Sequence, residues 1–63
     1  VSFERQVGYS SEVSLETKDG YIELWVADID KGSSEYCQLT PTDIEYLIQA
    51  LAAELIAIRK NNG

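Results

Sequence analysis

The sequence predicts a small α+β domain: an antiparallel sheet of three strands, with a fourth as an option, and one long C-terminal helix packed on one face, in the order β-β-β-α. Three observations predict it. Before Thr40-Pro41 the apolar residues alternate at period two. After that point they recur at helical spacing. An Asp-Gly pair, Asp19-Gly20, sits between two alternating runs, which is a strong short-range hairpin signal. The 63 residues contain no repeat, no low-complexity segment and no linker, so residues 1–63 read as a single domain.

The optional strand comes first. Phe3, Arg5, Val7 and Tyr9 share one parity and suit an edge strand, although Gly8 and Ser10-Ser11 interrupt the pattern. The hairpin follows. Asp19-Gly20 in a two-residue type I′ turn opposes Thr17 to Ile22, Leu15 to Leu24 and Val13 to Val26. Those pairs form one apolar face. The other face then opposes Lys18 to Tyr21, Glu16 to Glu23, Ser14 to Trp25 and Glu12 to Ala27. A slip of one residue would exchange the faces, so the pattern itself supports this register. Asp28 to Ser34 reads as a loop, and Glu35 to Leu39 as a short strand with Cys37 and Leu39 on the apolar face.

Leu39-Thr40-Pro41-Thr42-Asp43 is a helix start. Thr40 caps the free N–H groups of the first turn, Pro41 suits the first helical position, and Asp43 reaches back in a capping-box manner. Arg59 and Lys60 sit where cations favour the helix C-terminus, and Asn61-Asn62-Gly63 supplies the stop. The expected helix has about 19 residues and is about 28 Å long.

At about 100° per residue, Ile44, Leu47, Ile48, Leu51, Leu55 and Ile58 fall on one face, the stripe expected to cover the sheet. A second stripe of Tyr46, Ala50, Ala53 and Ala57 lies nearly opposite, widened by Ala52 and Ile56. Alanine is the best helix former, which accounts for part of this stripe. Tyr46 and Ile56 are not explained by propensity, and they make it a candidate helix interface. The outer sheet face is a second candidate. There Trp25, Tyr21 and Tyr36 lie among Glu12, Glu16 and Glu23. Aromatic anchors with a polar rim are typical of protein interfaces, while aromatic residues also serve simply as good strand formers.

Composition excludes more than it selects. Eleven acids against five bases give a net charge of −6, which argues against direct binding to nucleic acid or to an anionic membrane surface. One Cys cannot make an internal disulfide, and without His a structural zinc site is not expected. Asp28, Asp30 and Gly32 begin like a calcium loop, but the required Gly and Glu positions hold Ser33 and Leu39. No metal or cofactor is therefore expected. No His stands beside a Ser or Cys as a general base, Cys37 reads as a small buried hydrophobe, and Glu16 with Glu23 lacks a cleft; no catalytic residue is assigned and an enzyme is not expected. A lone Cys fits a reducing compartment, and a cytoplasmic location is expected.

A chain this short buries only about 60% of its unfolded surface. With disulfides and metals set aside, association is the remaining way to complete a core. The expected function is a small acidic, non-enzymatic protein-interaction module that forms a homodimer. The alternative is an acidic inhibitor or adaptor that captures a larger enzyme or a nucleic-acid-binding protein. In size, charge and layout alone, the chain resembles small acidic phage-encoded proteins that act in this way. A third reading is a structural or regulatory subunit whose helix docks into an assembly.

Overall fold

A computed structural model describes residues 2–62. Four strands, β1 (Phe3–Val7), β2 (Ser11–Thr17), β3 (Ile22–Asp28) and β4 (Ser33–Leu39), precede one helix, α1 (Pro41–Asn62). The strands form an antiparallel meander in the order β1-β2-β3-β4. The fold is α+β, and the optional first strand is present as an edge.

The central register follows from the hydrophobic pattern. Val13 faces Val26, Leu15 faces Leu24 and Thr17 faces Ile22. β1 extends the apolar face by pairing Phe3 with Leu15. β4 adds Leu39 beside Ile22 and Cys37 beside Leu24. Side chains alternate across the sheet, so Trp25, Tyr36, Glu16 and Glu23 occupy the opposite face.

The β2–β3 turn differs from expectation. Only Gly20 has a positive φ, 86°, and Asp19 does not. Type I′ needs positive φ at both central residues, so the turn instead has the sign pattern of type II, which needs glycine only at its second centre. Lys18 N–H still donates to the Tyr21 carbonyl at 2.8 Å, so the register is kept. The expected loop from Asp28 to Ser34 is shorter than read. Asp28 ends β3 and Ser33 begins β4. Within the turn, Asp28 accepts from Gly32 N–H at 2.9 Å through its carbonyl and from Lys31 N–H at 3.2 Å through Oδ1.

The helix begins as predicted. Thr40 N–H and Oγ1 both donate to Asp43 Oδ2, at 3.0 and 2.9 Å, and Asp43 N–H donates to Thr40 Oγ1 at 3.3 Å. This is a reciprocal capping box. The helix has 22 residues and continues through Asn61 and Asn62, which do not stop it. Gly63, the last part of the expected stop, lies outside the described residues. At 22 residues the helix is about 33 Å long, and no described helix is long and apolar enough to cross a membrane.

The helix stands over the inner face of the sheet, as expected, but an open cleft remains between them, and the sheet residues under it are at most half-buried. Thr40 alone separates β4 from α1. A proline follows it, which holds Thr40 near an extended conformation. The connection is shorter than the about 2–6 residues usual between a strand and a helix, and it sets the helix over the end of the sheet nearest Leu39. The helix backbone comes near the sheet backbone only at β4. Among the described residues no side chain is buried. Cys37, expected in the core, is exposed for the same reason.

The dimensions agree. The Cα radius of gyration is 13.7 Å, against about 10.6 Å for a compact chain of this length. The chain exposes 5294 Å², whereas a compact monomer of this mass exposes about 4,000 Å².

Candidate interaction surfaces

The outer sheet face is assembled by cross-strand pairing. Trp25 on β3 lies opposite Tyr36 on β4. Their rings stack with centroids 4.5 Å apart and planes 21° from parallel. The Trp25 Nε1–H donates to Glu23 Oε1 at 3.2 Å. Glu16 stands directly opposite Glu23, a like-charge pair that costs stability. Lys18 Nζ lies 3.9 Å from Glu16 Oε1 and offsets part of that repulsion. Glu12, Glu16, Glu23, Trp25 and Tyr21 are half-buried, and Tyr36 is exposed. Tyr21 lies just before β3, in the turn, on the same parity as Glu23 and Trp25. Glu4, opposite Ser14, adds an acid to this face that sequence reasoning left unassigned; the pairing of β1 was the missing signal. The arrangement is an aromatic ledge with acids beside it, joined by one side-chain hydrogen bond and one ion pair.

The inner face is different. Helix and sheet enclose an open apolar cleft of about 440 Å³. Its sheet wall includes Phe3, Leu15 and Leu24, and its helix wall Ile44, Leu47 and Leu51. Of the helix stripe only Ile44 is even half-buried. Leu55 and Ile58 lie beyond the cleft, 45% and 56% exposed. On the sheet, Val26 lies outside it too and is 49% exposed. Sequence reasoning took these residues as a finished core. The signal that they are not is the single-residue connection at Thr40.

The opposite helix stripe, Tyr46, Ala50, Ala53 and Ala57, is exposed along its length. The structure does not bring it together with the Trp25 ledge, since α1 lies on the inner side of the sheet and Trp25 is on the outer face. Among the described residues, no group of three His, Cys, Asp or Glu side chains comes close enough to hold a metal ion. Asp43 sits at the start of the helix, bonded to Thr40. Hydrogen bonds from the Thr40 backbone and then its hydroxyl hold the carboxyl pKa below its ordinary value. Its partners place it in the helix cap rather than in a reactive cleft.

No protein-family model, curated protein or solved structure matches this chain.

Proposed function

We propose that this chain is a small acidic, non-enzymatic protein-interaction module that works in the cytoplasm as a homodimer. One observation carries the reading: 44% of the residues are hydrophobic, yet no described side chain is buried. A sheet face and a helix stripe of this composition are stable only when something covers them. The exposed area exceeds that of a compact monomer by about 1,250 Å². Two chains removing that excess would bury about 2,500 Å², within the range of obligate homodimers. A small apolar ligand in the cleft would leave Val26, Leu55 and Ile58 uncovered, so the area fits a protein partner better. Sedimentation equilibrium checks this directly. The expected species is a dimer whose unfolding midpoint rises with protein concentration. A folded monomer persisting at millimolar concentration would remove the proposal.

A second reading is supported by the Trp25–Tyr36 stack and its neighbouring acids. In that reading the outer face captures a basic surface of a larger protein, as an inhibitor or adaptor. Binding to a given basic protein should then weaken with salt and with reversal of Glu16 and Glu23. Loss of binding on Trp25→Ala without salt dependence would favour an aromatic anchor over charge.

A further inference from the structure

We propose that the second copy closes the cleft by reciprocal helix exchange, so that the C-terminal half of each helix lies across the inner sheet face of its partner. The inference rests on the homodimer reading and specifies its contact.

Three observations lead to it. The first is a matched pair of leftovers. The apolar helix stripe runs from Ile44 to Ile58, but a chain's own sheet faces it only as far as Leu51. Leu55 and Ile58 remain unmet on the helix, and Val26 and Cys37 remain uncovered on the sheet. Helix on sheet is one of the standard ways to bury such surfaces, and each set supplies what the other lacks. The second is connectivity. Thr40 alone joins β4 to α1, the helix stands over its own sheet only as far as Leu51, and a twofold axis lets its remaining turns cover the same face of another chain.

The third is charge. The helix leaves the sheet beside the Ile22–Leu39 pair. The far end of the sheet carries Glu35, opposite Val26, and Asp28, opposite Ser33. The free end of the helix carries Arg59 and Lys60. A partner helix lying over the inner face with its C-terminus towards that far end brings Arg59, which flanks the apolar stripe, to these carboxylates, while Lys60 lies on the opposite side of the helix. Opposed charges at an interface favour this docking sense over the reverse.

Complementary variants test the exchange. Leu55→Glu spoils the helix contribution, and Val26→Lys spoils the sheet contribution. Each homodimer then contains two defective contacts. A mixed dimer contains one wild-type contact and one Glu–Lys contact. Each variant alone should dimerise at least about 30-fold more weakly than wild type, the size of an interface hot spot. An equimolar mixture, refolded together from denaturant, should give a heterodimer by native mass spectrometry. Co-refolding keeps the result decisive even if neither variant folds alone. A mixture no better than its components overturns the exchange. So does wild-type dimerisation by either variant, which points to helix pairing, sheet stacking or pairing of β4 edges instead. A monomeric wild type would overturn the homodimer reading itself, a separate result.

Discussion

On the outer face of the sheet Trp25 stacks on Tyr36, Trp25 donates to Glu23, and Lys18 stands near Glu16. On the inner face Leu15 and Leu24 look across an open cleft at the helix, and Val26 lies beyond it. The first face has contacts within one chain: one ring stack across two strands and two polar contacts between residues two apart in sequence. The second consists of aliphatic groups, which gain nothing from each other's polarity and must lose water to contribute. Aromatic residues beside water are therefore a poor guide to the missing contact here. The aliphatic face is the one the monomer leaves incomplete.

The largest expected effect is on the inner face. Leu24→Ala should reduce the stability of the dimer by about 2–5 kcal/mol, the range for removing a leucine from a closed core. Denaturant titration at several protein concentrations measures it. Leu24 is already half-buried in the lone chain, so a loss that does not vary with protein concentration would mean that no partner covers it, and the contrast between the faces would fail.

The corresponding change on the outer face should be smaller and different in kind. Trp25→Ala removes the stack and a cross-strand pair, a loss of about 1–2 kcal/mol. It should leave the mass in solution unchanged, because the ledge takes no part in the exchanged contact. Dissociation of the dimer by Trp25→Ala would reverse the assignment of the two faces.

Most of the fold was legible because its signals are local. Val13, Leu15, Ile22, Leu24 and Val26 alternate around Asp19-Gly20, and a slip of one residue would turn them all outward. Thr40-Pro41-Thr42-Asp43 states its cap directly. The placement of the helix was harder to read. Its stripe matches a sheet face in chemistry, and matching chemistry does not say whether the sheet belongs to the same chain. The placement is set by one connecting residue, which puts the helix over the end of the sheet nearest Leu39. Cys37 follows from it: an inward-facing position is buried only if something lies above it. The aromatic ledge was predictable from parity, but its internal hydrogen bond was not, since Trp25 and Glu23 are on one strand and meet through side-chain conformation.

The cap offers a smaller and more local test. Thr40→Ala should cost about 1 kcal/mol of helix stability, read as a lower thermal midpoint with the sheet register unchanged. Asp43 adds a pH dependence. Its carboxyl is held below the ordinary value in the folded chain by its bonds to Thr40. A depressed acid stabilises the fold above its unfolded value, and that contribution is lost as pH falls through the folded one. The stability gap between wild type and Asp43→Asn should therefore narrow in acid. In the Thr40→Ala background this narrowing should be somewhat weaker, because the hydroxyl bond to the carboxylate is lost while the backbone N–H bond, the larger of the two influences, remains. A gap independent of pH would mean that the cap does not act through the ionised form.

The smallest expected effect falls on the second helix stripe. Ala53 lies on the side of α1 opposite Ile44 and Leu55, and it is exposed. Ala53→Glu replaces the best helix former with another good one, at a cost of a few tenths of a kcal/mol. If the partner meets the helix through Leu51, Leu55 and Ile58, the added carboxylate stays in water and the dimer mass is unchanged. If a second helix packs against Ala50, Ala53 and Ala57 instead, the same carboxylate is buried without a partner, which is among the costliest single changes. Two apolar stripes on one helix thus give opposite answers to one substitution, and sedimentation of Ala53→Glu beside Leu55→Glu identifies the stripe that is the seam.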